Sequence, residues 1–130
     1  MARSILAVLA GWASVGALVV LTDLILMKLF PHGYTPGQMP SDTTSAISLF
    51  TSTAYSILGG WITAALAPSY PWRHVVALCI WGELMAGLSM AFTMGQVQIW
   101  YQLGLIALWL PAIAIGAFLR AGKPRFGPEP

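Results

Sequence analysis

Charge is what this chain has least of. Six lysines or arginines and four aspartates or glutamates are spread over 130 residues, 8% of the chain, about a third of the usual share in a soluble domain. So few charges cannot cover the surface of a water-soluble fold of this length, and that class is excluded. Disorder requires low hydrophobicity and high charge, whereas 58% of the residues are hydrophobic and the mean hydropathy is +0.77. Cysteine is limited to Cys79, which excludes a disulfide-stapled module and an intramolecular dithiol mechanism. A glycine-rich phosphate loop, a serine–histidine dyad and zinc-ligand spacing are missing. What remains is an integral membrane protein.

A helix crossing the hydrocarbon needs about 20 mostly apolar residues. Four stretches meet that length: about 5–30, 44–67, 73–94 and 98–119. None shows the short alternating pattern of a barrel strand. The expected fold is all-α, a four-helix transmembrane bundle with short loops, and a single domain over residues 1–120. Pro31, Pro36 and Pro40 end the first span and forbid helix between it and the second. Ser41 or Asp42 then offers an N-cap to span two. Pro68 and Pro71 separate spans two and three, and Gly95-Gln96-Val97 joins spans three and four as a tight hairpin. Residues 121–130 contain too few apolar groups to dock and read as a mobile cytoplasmic tail. Arg3 followed by an apolar run resembles a signal peptide, but the run continues to Phe30, beyond a typical h-region of about 7–15 residues, so span one is expected to be retained.

The basic residues set the orientation. Arg3, Arg73, Arg120, Lys123 and Arg125 fall on one side of an even number of spans, against Lys28 on the other. Both termini are therefore expected in the cytoplasm. The net charge of +2 is accounted for by this asymmetry and calls for no nucleic-acid partner. His32 and His74 fall on opposite faces, so they cannot share a haem or a metal. No cofactor and no metal are expected.

Polar residues within the spans are the candidate sites. Glu83 lies ten residues past Arg73, or ~15 Å deep at the helical rise, near the middle of a core ~30 Å thick. An acid there costs several kcal/mol or stays protonated. Tyr55 and Ser56 on span two and the indole of Trp109 on span four share its depth. Such a group serves either as a proton or cation site or as a hydrogen-bonded lock on helix register. Asp23 lies ~12 Å below the end of span one, level with Ser48, Thr51 and Ser52 on span two and Gln102 on span four. Asp23, Thr51, Ser52 and Gln102, with Gln96 and Gln98, outline either an outer vestibule leading towards Glu83 or ordinary interfacial polarity.

Lipid tails are as apolar as leucine, so the spans must pack through close approach of small residues. Ser56, Gly60 and Ala64, then Gly82 and Ala86, then Gly87, Ala91 and Gly95, then Ala112 and Gly116 supply such strips. One strip left over would serve a protein partner or a second copy of the chain within the bilayer.

The segments Ile5-Leu6-Ala7-Val8-Leu9-Ala10-Gly11, Gly59-Gly60-Trp61-Ile62-Thr63-Ala64-Ala65-Leu66-Ala67-Pro68 and Trp100-Tyr101-Gln102 resemble small uncharacterised four-span bacterial inner-membrane proteins. The resemblance implies a bacterial inner-membrane setting. Small multidrug resistance transporters differ in carrying their key acid centrally in the first span, whereas Asp23 sits nearer its end. Four-span fluoride channels rely on asparagine, which this chain lacks. The function expected is that of a non-catalytic accessory or structural subunit of a larger membrane assembly. The alternative is a small oligomeric proton- or cation-coupled transporter or channel built on Glu83.

Overall fold

A computed structural model describes residues 1–33 and 38–126. Pro36, expected to help forbid helix between spans one and two, and the end of the tail at 127–130 lie outside the described residues. The described residues form four α-helices: α1 (Ala2–Leu29), α2 (Asp42–Leu66), α3 (Pro71–Thr93) and α4 (Ile99–Ala121). Each is long and apolar enough to cross a membrane, and the protein is a multi-pass membrane protein folded as a four-helix bundle in a lipid environment.

The helix ends follow local chemistry. α1 stops before a single 3-10 turn at Pro31–Gly33. Ser41 caps α2, its side chain accepting the amide of Thr44 at 3.3 Å. α3 begins with Pro71 in its first turn, where a missing amide costs nothing. Gly95, at φ 82°, makes the reversal between α3 and α4, a conformation that side chains rarely adopt.

Cross-links between helices establish an antiparallel arrangement. The Thr63 hydroxyl near the end of α2 donates to the carbonyl of Ala7 near the start of α1 at 3.2 Å. The Trp72 indole at the start of α3 donates to the carbonyl of Gly122 after α4 at 3.2 Å. This end of the bundle, called here the terminal end, also carries Arg3, Arg73, Arg120, Lys123 and Arg125. The opposite end holds the α1–α2 connection and the α3–α4 turn, and is called the loop end.

The tail is not free as far as it is described. Arg73 Nε donates to the carbonyl of Phe126 at 2.7 Å, and the rings of Trp72 and Phe126 meet edge-on with centroids 6.5 Å apart. Low apolar content suggested a segment without an anchor. One aromatic ring and two backbone carbonyls are enough to hold it against α3.

α2 is the least apolar of the four spans and the most buried. Its closest packing is against α4 and then α1, while α1 and α3 touch least among neighbouring helices. The buried face of α2 reads Thr44, Ser45, Ser48, Ser52, Ser56, Gly59, Gly60, Thr63 and Ala64, at the three- and four-residue spacing of one helix face. The outward positions carry bulky apolar groups such as Phe50, Leu84 and Leu119, which suit lipid. This inversion, small and polar inside with large and apolar outside, is the one a bilayer demands.

The α2–α4 contact is made backbone to backbone. A Cβ added to Gly60 would overlap the Ile113 carbonyl, and one added to Gly116 would overlap the Ile57 carbonyl. Ala64, Val75, Leu78, Ile113 and Ala117, all buried, close an apolar core around the terminal half of this seam. Gly60→Val is expected to force the two helices apart and lower stability by about 1–3 kcal/mol, the usual cost of overpacking. Reversible unfolding in mixed detergent measures it, and a midpoint equal to that of the unsubstituted chain would contradict the close approach.

Candidate functional site

The loop-end half of the bundle is joined by side-chain hydrogen bonds. Ser48 on α2 donates to Asp23 Oδ1 on α1 at 3.0 Å, and its oxygen lies 3.1 Å from the Tyr101 hydroxyl on α4. With its own proton committed to the carboxylate, Ser48 receives the proton of Tyr101. One buried hydroxyl therefore links three helices. Two helical turns further along α2, the Tyr55 hydroxyl meets Thr22 of α1 at 2.6 Å. At the outermost level, Ser45 donates to Gln98 Oε1 at 2.8 Å, while Gln98 Nε2 donates to the Pro40 carbonyl and to Asp42 Oδ1. Gln102 Nε2 donates to Thr93 Oγ1 at 2.8 Å and so ties α4 to α3.

These bonds reorganise the expected vestibule. Asp23 is engaged by Ser48, Gln102 turns to α3, and the Thr51 hydroxyl returns to the carbonyls of Ile47 and Ser48 on its own helix. Ser52 stands apart: it is buried, and its hydroxyl has no hydrogen-bond partner. Tyr101 joins this network although sequence alone did not single it out. Its position beside Gln102, level with Asp23, was the signal for its role.

The group expected around Glu83 is not brought together by hydrogen bonds. Tyr55 is paired with Thr22, and Ser56 donates to the Ser52 carbonyl at 2.8 Å. The Trp109 ring covers Gly82, in the space where a Cβ would stand, and its Nε1 is buried without a partner. Glu83 is half-buried, and its Oε1 is likewise buried without a partner. Trp109 meets the residue next to Glu83 and not Glu83 itself.

A cavity of about 250 Å³ lies at mid-height between all four helices. Its wall includes Gly16 and Val19 of α1, Ser52 and Ser56 of α2, Met85 of α3 and Leu105 of α4. Trp12 also borders it, meeting Trp81 edge-on with centroids 5.8 Å apart where α1 and α3 touch. Tyr101 and Trp109 complete an aromatic lining. Neither Asp23 nor Glu83 is part of the wall. Among the described residues no three His, Cys, Asp or Glu side chains come together as metal ligands.

No family model, curated protein or solved structure matches the chain.

The geometry ranks the loop-end bonds. Ser48→Ala strands both a carboxylate and a phenol and is expected to cost about 1–3 kcal/mol. Tyr55→Phe removes one bond in an apolar setting and is expected to cost about 0.6 kcal/mol. Unfolding midpoints of the two variants in the same detergent check the order, and equal effects would refute the three-helix role of Ser48.

Proposed function

We propose that the chain is a non-catalytic subunit of a larger assembly in a bacterial inner membrane, with both termini in the cytoplasm. The observation that carries this reading is the outward stripe of α3. One turn past the half-buried Glu83, Gly87 is exposed with nothing within 4 Å of the position its Cβ would occupy. Four further on, Ala91 is exposed as well. By contrast, Gly11, Gly59, Gly60, Gly82 and Gly116 are each filled by a neighbouring helix.

A glycine inside a helix costs about 1 kcal/mol relative to alanine, and in lipid its return is close approach by another helix. A helix laid along Gly87 and Ala91 would supply that approach. The basic residues gathered at the terminal end support cytoplasmic termini. The resemblance to four-span bacterial membrane proteins supports the setting.

Solubilised in mild detergent from its own membrane, the chain is expected in a particle heavier than one chain by light scattering with detergent subtracted. Gly87→Leu is expected to return it to single-chain mass while leaving its unfolding midpoint unchanged. A single-chain mass for the unsubstituted protein overturns the reading.

A second reading, proton- or cation-coupled translocation, is supported by a different observation. The Asp23–Ser48–Tyr101 chain runs from α1 across α2 to a residue that borders the mid-height cavity. On this reading the acid that matters is Asp23, not Glu83. In proteoliposomes Asp23→Asn is expected to abolish proton-linked flux, and flux equal to that of the unsubstituted chain removes translocation through this chain.

A further inference from the structure

At the terminal end a groove of about 510 Å³ opens between the first turns of α1 and α3. Its mouth is formed by Ser4 of α1 and by Arg73 and His74 of α3. Deeper, its walls are Ile5, Val8 and Leu9 on one side and Ala77 and Trp81 on the other, each set on one face of its helix. Ile5, Leu9, Ala77 and Trp81 are all exposed. Trp81 meets Trp12 of α1 edge-on, so the two helices are bridged at the groove's inner end.

The mouth is basic, and its cation is held in place. Arg73 is exposed, yet its Nε donates to the Phe126 carbonyl at 2.7 Å and its guanidinium lies 4.9 Å from the centre of the Tyr70 ring. Nε supplies one of five N–H donors, and among the described residues the other four meet no acceptor. His74 Nδ1 donates to the Tyr70 carbonyl at 3.3 Å, which leaves Nε2 on the far side of the ring. Arg3, Arg120, Lys123 and Arg125 share this end of the bundle. Among the described residues no carboxylate does: Asp23 and Asp42 lie towards the loop end and Glu83 at mid-height.

Length and charge together narrow the occupant. From Arg73 to Trp81 the groove runs ~12 Å at the helical rise, against ~15 Å for half of a core ~30 Å thick. It is one leaflet deep. A partner's transmembrane helix would run the full thickness and would need an acid of its own at Arg73. A free phosphate would leave the apolar walls unused. A zwitterionic lipid would bring an ammonium group to the same basic mouth. A lipid of net negative charge matches the mouth and the walls at once, and basic pockets between helices at a membrane surface hold such headgroups. Tyr70 and Trp72 stand at this height, where amphipathic rings settle among headgroups.

We propose that this groove binds one anionic phospholipid, its phosphate at Arg73 and His74 and one acyl chain laid between Ile5, Leu9 and Ala77 towards Trp81. The inference stands apart from the assembly reading, which concerns Gly87 and Ala91 in the other half of α3.

The test uses the full chain, delipidated in detergent and titrated by native mass spectrometry with phosphatidylglycerol or with phosphatidylcholine of the same acyl chains. The first phosphatidylglycerol adduct is expected to form about fivefold more tightly, the attraction of one basic residue near the surface. Arg73→Gln is expected to bring it down to the phosphatidylcholine level. Arg120→Gln, which removes the same charge at the same end but outside the groove, is expected to leave the first adduct unchanged. Ala77→Phe fills the groove without touching the bond to Phe126, and is expected to lose the first adduct of both lipids with an unchanged circular dichroism spectrum. Glycerophosphate, the headgroup without chains, is expected to give no adduct at the same concentrations. Four results would each overturn the proposal: equal affinity for the two lipids, equal weakening by Arg73→Gln and Arg120→Gln, undiminished binding by folded Ala77→Phe, or glycerophosphate binding that matches the lipid's.

Discussion

The backbone contact between α2 and α4 is the constraint on which the rest of the bundle rests. Gly60 meets the Ile113 carbonyl and Gly116 meets the Ile57 carbonyl, so each helix carries the hollow for the other's backbone. In water such a seam would be sealed by excluding solvent from large apolar side chains. In lipid that driving force is absent, and contact area and fit replace it. The consequence spreads outward: α2 becomes the axis, its polar face is withdrawn from lipid, and α1 and α3 are arranged around a helix that could not survive at the periphery.

With α2 fixed at the centre, the two halves of the bundle are held by different means. Towards the terminal end the cohesion is apolar, through Val75, Leu78, Ile113 and Ala117. Towards the loop end it is polar, through Asp23, Ser48, Tyr101, Gln98 and Gln102. The cavity sits where one regime gives way to the other. Small hydroxyl side chains have left the apolar core behind at that height, and the next cross-strut has not yet begun.

The fold was legible in the sequence because the bilayer imposes a length on every crossing. Four apolar runs, two proline-marked breaks, the Gly95 turn and a cap at Ser41 or Asp42 place the helix ends within three residues of those observed. Depth was legible for the same reason, since a constant rise converts residue number into height. It put Asp23 beside Ser48 and Glu83 beside the level of Trp109. What could not be read was azimuth. Each residue turns the helix by 100°, and which face meets which neighbour depends on where small residues let a partner in. Gly82, not Glu83, receives Trp109, and Tyr55 turns to Thr22 of α1. The docked tail was missed for a related reason: its anchors are backbone carbonyls and a single Phe126 ring, which composition undercounts.

Gln98 has a bearing on the order in which the chain is built. It stands at the N-cap of α4, yet its amide serves Ser45, Asp42 and the carbonyl of Pro40 at the entrance to α2. During synthesis the first hairpin is complete at Leu66, 32 residues before Gln98 can close this clasp. Until then the entrance to α2 must draw its hydrogen bonds from water and headgroups, which holds that end at the surface. Arrival of the second hairpin releases those solvent bonds, and the entrance of α2 can then settle to its final depth. The clasp thus makes the seating of the first pair of helices conditional on the second.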